Sequence, residues 1–264
     1  MTDRPKESGR YIEAVLKSLD VLDCFKGAPN LSLMDIMERA GLTRSRAMRL
    51  TGTLEYRGYL TQDPVTRRFS LGYRLLALGR SIEANNSLIA ATRPVLKKLA
   101  EVTGESAALF VIDGLDRVVL AREESTWSIR YSVSEGERIP LPAGAGGKVL
   151  AAFGPTALWN RIQRSQPRPL KSGGTGINLG QLQQERTQIL NQGFATSIGE
   201  RVPDSWAASV PIFDAQDALV GCITVAGPVN RITSERQDEI IRILLEQSQH
   251  LSSSLGWRDH GHRP

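Results

Sequence analysis

Apolar residues return at helical spacing over 11–26. Ile12, Val15, Leu19 and Leu22 fall on one face, so the pattern predicts a helix buried along that stripe. Pro29 and Asn30 break it. A second helix is expected after Ser32, a natural N-cap, with Leu33, Ile36, Met37 and Ala40 inward and Gly41 as its stop. A third is expected after Thr43, again an N-cap, with Ala47, Leu50 and Leu54 toward the core. That register leaves Arg44, Ser45, Arg46, Met48, Arg49 and Thr53 facing out. Residues 59–61 and 69–71 read as short strands joined by the turn QDPVTRR.

Residues 73–86 are again helical in pattern and read as a connector between two domains. Pro94 suits the start of a helix running to about Thr103, because its missing N–H costs little there. ALFVID and RVVLARE flank Gly114 as a hairpin, and SIRYSV reads as a further strand. The loop SEGERIPLPAGAGG leads into a helix KVLAAF. Residues 154–180, rich in Pro, Gly and Arg, are expected to be irregular, and 182–192 helical. SVPIFDAQDALVGCITVAGP reads as a second hairpin. Ser234 and Gln237 suggest a capping box for a last helix with Ile240, Ile241, Leu244, Leu245 and Leu251 on its stripe. Residues 1–10 and the stretch after Leu255 are expected to be loose.

The 264 residues suffice for two compact domains. A formal net charge of +5 says less than its distribution. Residues 1–80 hold 14 Lys and Arg against 9 Asp and Glu, whereas residues 81–264 hold 19 of each. The basic excess therefore lies with the helix pair. Two cysteines, Cys24 and Cys222, cannot make a disulfide framework, and both fall in apolar segments. MTDRPKESGR lacks the apolar stretch of a signal peptide, and no run approaches the roughly 18–20 residues that span a bilayer. A cytoplasmic protein without membrane association is expected.

Ser32 to Leu71 is the most informative stretch. No acid lies between Arg39 and Leu54, and a helix that packs on one face while projecting cations from the other is suited to a DNA groove. Ser32, Thr43, Arg44, Ser45, Arg46 and Arg49 are the candidate DNA contacts on the helix pair, and Arg67 and Arg68 those on the wing. A solvated basic helix is the plainer alternative. Helix, turn, helix and wing in that order argue against it.

GAGGK at 144–148 is not a phosphate loop. The first Gly of that pattern would fall on Pro142, and Val149 follows the Lys where a hydroxyl is needed. A tight loop offering backbone N–H groups to a small ligand remains open, as does a purely structural turn. Catalysis has little support. The only histidines are His250, His260 and His262, far from any paired nucleophile, and no cofactor or metal site is expected.

Several co-linear motifs carry a resemblance. AVLKSLDVLDCF, GLTRSRAMRLTGTLEYRGYL with RRFSLGYRLLALG, RPVLKKLAEVTGESAALFVIDG, GAGGKVLAA and VPIFDAQDALVGCITVAGPVNRITSER together resemble the IclR (isocitrate lyase regulator) family of bacterial transcription factors. The resemblance implies an α+β chain: a winged helix-turn-helix DNA-binding domain at 11–72, a linker helix at 73–90 and a GAF-like α/β effector-binding domain at 91–256. Residues 1–10 and 257–264 would be flexible ends. It also implies homodimers or tetramers on a near-palindromic double-stranded operator, a small organic acid as effector, and control of a catabolic operon.

By the same resemblance, effector contacts fall on Ala145 and Gly146 in the loop, Tyr131 and Ile139 in the wall, and Ser197 and Ala207, where relatives that read small oxo-acids carry an acid and a Cys. Those two replacements argue against a glyoxylate-like ligand. Trp206, Tyr131 and Trp127 suggest an aromatic or otherwise bulky acid, with Arg122 and Arg130 as candidate carboxylate partners. Strand alternation would separate Arg130 from Tyr131, so only one of them could line the pocket. Two further readings stay open: an enzyme domain fused to a DNA-binding module, and a regulator whose second domain serves only dimerisation.

Overall fold

The computed structural model describes residues 11–84, 86–166, 170, 172–175 and 178–258. The expected loose ends at 1–10 and 259–264, with His260 and His262, lie outside the described residues. The chain divides into two compact units, Met1–Asn85 and Asn86–Pro264.

The N-terminal unit runs α1 (Glu13–Asp23), α2 (Leu33–Ala40), α3 (Arg44–Tyr56), β1 (Leu60–Gln62), β2 (Phe69–Leu71) and α4 (Tyr73–Ala84). Ile36, Ala47, Leu54, Leu60 and Phe69 form its core with Val21, Cys24 and Phe25 from the end of α1. Here the expected stripe is corrected: Ile12, Val15 and Leu19 are exposed and Leu22 is half-buried. The core seats only the last turn of α1, so its upstream apolar face stays outside. Ser32 caps α2 as expected, accepting from the Asp35 N–H while its own N–H donates to Asp35 Oδ2. Gly41 takes φ 61°, the left-handed conformation that turns the chain into α3. Thr43 stands at the α3 N-cap, but its side chain makes no capping bond. The antiparallel wing pairs Leu60 with Leu71, starting one residue later than the pattern suggested.

The C-terminal unit opens with α5 (Ser87–Thr103), followed by β3 (Ser106–Asp113), β4 (Asp116–Glu123) and β5 (Arg138–Pro140). Next come α6 (Gly144–Phe153), α7 (Thr156–Arg164), α8 (Leu179–Gln192), β6 (Ala195–Ile198), β7 (Ser205–Phe213), β8 (Leu219–Pro228), a short 3-10 turn and α9 (Ser234–Ser254). One antiparallel sheet of order β5-β4-β3-β8-β7-β6 separates two cores. Leu109, Trp206, Ala208, Val210, Ile223 and Val225 pack with α5 and α9 on one face. Phe110, Val119, Ile139 and Cys222 pack with α6, α7 and α8 on the other.

Several expectations change here. Pro94 lies inside α5, which starts at Ser87 under an Asn86 cap. The C-terminal unit accordingly begins at Asn86, ahead of residue 91. Residues 128–133 are not a strand; only Arg138–Pro140 pairs with β4. The GAGG segment is the first turn of α6 rather than a loop, and α7 fills part of 154–180, where Leu158 and Ile162 give it a buried face. The α9 cap is Thr233, accepting from the Arg236 N–H, not Ser234. The end of the described chain is held: Trp257 Nε1 donates to Asp217 Oδ1 at 2.6 Å and its ring lies against Phe213. Among the described residues no helix is long and apolar enough to cross a membrane.

Candidate functional site

In the N-terminal unit α3 sits on Ala47, Thr51 and Leu54 and turns Arg44, Ser45, Arg46, Met48 and Arg49 outward, as its period requires. Arg46 is not free: it donates to Glu13 Oε1 of α1 at 2.8 Å. Arg44 and Arg49 have no ion pair among the described residues.

The wing cations divide as well. Arg67 is exposed at φ 57° on the turn that Asp63 organises by accepting from the Val65 and Thr66 N–H groups. Those bonds, Thr66 first, hold the Asp63 carboxyl below its ordinary range. Arg68 instead reaches back to the N-terminus of α2, donating to Asn30 Oδ1 at 2.7 Å and to Asp35 Oδ2 at 3.1 Å. The Ser32 backbone N–H and hydroxyl, with Arg68 and Arg39, hold the Asp35 carboxyl low. Arg68 thus pins the wing, and Ser32 is engaged in capping.

In the C-terminal unit the face under α6 gathers most of the expected effector positions. Ala145 and Gly146 lie in the buried first turn of α6, and Ser197 and Ala207 are register partners on β6 and β7. The two glycines permit close approach. A β-carbon at Gly147 would meet the Pro142 carbonyl carbon at 2.5 Å, and one at Gly146 would meet Arg117 Nη1 at 2.8 Å and Thr224 Oγ1 at 3.0 Å. The first backbone donors of the helix are already taken: Gly144 N–H donates to Glu200 Oε2 and Ala145 N–H to Ser197 Oγ, each at 3.0 Å. Glu200 is anchored by the buried Lys148 at 2.8 Å, which also meets Glu185 at 3.1 Å.

Trp206 does not join this face. It is 1% exposed in the opposite core, with Nε1 donating to Gln237 at 3.2 Å. Alternation along β7 sends Ala207 toward α6 and Trp206 toward α9. Trp127 is mostly exposed beneath the Arg231 guanidinium, which is fixed to buried Glu105. Arg122 and Arg130 are both spent on Glu124, at 2.6 and 3.0 Å. Although burial opposes it, this pair of cations holds the Glu124 carboxyl below its usual value.

The residue that sequence reasoning missed is Arg117. It stands on β4 opposite Ile139, 3% exposed, its guanidinium 4.6 Å above the Phe110 ring. Nε and Nη1 have no hydrogen-bond partner among the described residues. Burial, with Arg201 nearby, pulls its pKa down. Arg201 is itself satisfied by the Tyr131 hydroxyl and by Glu137 Oε1 at 2.7 Å. The signal was alternation in RVVLARE, which puts Arg117 on the same strand face as the buried Val119. Phe110, which underlies Arg117, joins Thr224, Tyr131, Val133 and Arg122 in lining a narrow cleft, partly open to solvent, that encloses about 10 Å³, roughly the room of one water.

Residues 14–64 match the family described as the IclR helix-turn-helix domain, and residues 82–253 that described as Bacterial transcriptional regulator IclR C-terminal. The chain is 29% identical over 258 residues to the HTH-type transcriptional regulator BhcR of Paracoccus denitrificans, over 97% of this chain and 92% of that one. Among solved structures, Thermotoga maritima IclR superposes with a TM-score of 0.78 at 25% identity, over 94% of this chain and 100% of that one. A homologue from Microbacterium hydrocarbonoxydans, crystallised with 4-hydroxybenzoate, superposes at 0.76 with 19% identity, over 92% and 98%, and shares the fold.

Proposed function

The chain belongs to the IclR family of bacterial transcriptional regulators, and on that premise we propose that it switches a catabolic operon in response to a small organic acid. The observation that carries the DNA half is the exposed face of α3, where Ser45 stands between Arg44 and Arg49 and neither arginine has an ion pair among the described residues. Helix donors of this kind read base edges and phosphates together. Arg67 on the wing adds a backbone contact, while Arg46 and Arg68 are shared with Glu13 and Asp35.

The reading includes a homodimer on a near-palindromic site, acting in the bacterial cytoplasm. Tyr11, Ile12, Val15 and Leu19 expose an apolar strip along the start of α1, a surface suited to self-association. For the ligand half, a small, largely apolar cleft lined by Phe110, Tyr131 and Val133 adjoins the ring on which the buried Arg117 guanidinium rests. The same face presents Ala145, Gly146, Ser197 and Ala207. Trp206 is withdrawn from the pocket, so any aromatic contact rests on Phe110 and Tyr131.

The test is linkage. Binding of the acid can alter DNA affinity only if two states bind the acid unequally, and the factor must be the same in both directions. Fluorescence anisotropy on the chain's upstream DNA is expected to show the apparent Kd moving at least fivefold on saturation with a bound monocarboxylate such as 4-hydroxybenzoate. A DNA affinity that stays fixed while the acid binds would contradict ligand control.

A further inference from the structure

We propose that Arg117 is the specificity-determining residue of the effector pocket, binding a single carboxylate on an otherwise uncharged ligand. The inference rests on the organic-acid reading above and names the group that recognises the acid. Three observations carry it.

First, the first two backbone donors of α6 are already filled, Gly144 by Glu200 and Ala145 by Ser197. An incoming carboxylate needs another counter-charge. Second, the other cations of this region are engaged within the fold: Arg122 and Arg130 share Glu124, Arg201 meets Glu137, and Lys148 meets Glu185 and Glu200. Third, Arg117 is buried with two donor atoms unsatisfied and no ion pair among the described residues. It is aimed at the first turn of α6, where its Nη1 and Nη2 lie 2.8 and 3.3 Å from the points that β-carbons of Gly146 and Gly144 would occupy.

A buried guanidinium without an acceptor is costly to hold. Its donors suit a carboxylate, which would restore the missing charge and hydrogen bonds together. One uncompensated positive charge matches one negative charge, so a second carboxylate would be left without a partner. The ring of Phe110 beneath the guanidinium, with Tyr131 and Val133 nearby, provides an apolar and aromatic wall for the rest of the ligand.

The experiment is isothermal titration of the full-length protein with benzoate, phenylacetate, pyruvate and the neutral benzamide. It compares wild type, Arg117→Met, Arg117→Lys and the control Arg242→Met, exposed on α9, alongside thermal melts without ligand. The expected result is carboxylate binding to wild type that weakens at least 30-fold in Arg117→Met and less in Arg117→Lys. Arg242→Met should bind within about twofold of wild type, and benzamide should bind no variant well. Without ligand, Arg117→Met should melt above wild type, since it removes an unpaired buried charge. Carboxylates that bind Arg117→Met as tightly as wild type overturn the assignment and leave the organic-acid reading intact, as does benzamide binding as well as benzoate. A fall in the ligand-free melting temperature together with an equal loss for all ligands marks Arg117 as structural and also overturns it. Absence of binding by every probe to wild type overturns the organic-acid reading itself, and the inference with it.

Discussion

Arg46 of α3 donates to Glu13 of α1 at 2.8 Å, so one of the three arginines at the start of the recognition helix is held by an internal carboxylate. A DNA phosphate reaching Arg46 would have to compete with Glu13 for its guanidinium. Glu13→Gln should raise DNA affinity several-fold and steepen the dependence of log K on log salt by about one, the value of one added phosphate contact. Anisotropy over a salt series checks this. An unchanged slope would mean that Arg46 points away from the DNA.

Ser32 was a candidate DNA contact and serves as the cap of α2. Ser32→Ala should cost about 0.5–2 kcal/mol of local stability. Hydrogen exchange of the α2 and α3 amides on the full-length chain reads the effect. The salt slope of DNA binding should stay as in wild type.

Asp35 gives the N-terminal unit a pH dependence of known sign. Its folded pKa is lowered, first by the Ser32 backbone N–H. The stabilisation is therefore fully present above the ordinary aspartate value of about 4 and is lost as pH falls through the lower folded value. Acid titration followed by exchange at α2 should show this loss in wild type and a flattened profile in Asp35→Asn. Identical profiles would contradict it.

Trp206 separates stability from recognition. It is buried against α9, away from the α6 face, and donates to Gln237. Trp206→Ala should destabilise by about 3–5 kcal/mol. Trp206→Phe should cost less, through the lost Gln237 bond, and leave carboxylate affinity unchanged. Urea melts and titration calorimetry measure the two effects. A large loss of ligand affinity in Trp206→Phe would return the indole to the pocket.

The N-terminal unit was legible because its signals are local. The Ser32 cap, the Gly41 stop, Thr43 at the next N-cap position and the wing turn each act within a few residues. The face of α1 was misread because periodicity reports an apolar stripe without saying what covers it, and the core takes Val21, Cys24 and Phe25 instead. Proline misled twice. Pro94 sits within α5, where capping by Asn86 and burial of Ile89, Leu96 and Leu99 outweigh the missing donor, and Pro155 caps α7. On the α6 face the placing of Ala145, Gly146, Ser197 and Ala207 together was legible and the charges around them were not. Which arginines are spent depends on Glu124 and Glu137 folding back over the sheet edge, contacts that spacing along the chain does not encode. Arg117 hid as a charged residue in a strand, and only the packing of Ile139, Phe110 and α6 around it makes its burial evident.

The measurement that tests the central claim most directly is fluorescence anisotropy of the wild type and Arg49→Ala on the chain's own upstream DNA and on a scrambled duplex, over a salt series. The account predicts tight, sequence-selective binding by wild type with a steep salt slope. Arg49→Ala should lose about 1–3 kcal/mol on the specific duplex and less on the scrambled one. Equal wild-type affinity for both duplexes at every salt concentration would contradict a sequence-reading role for α3.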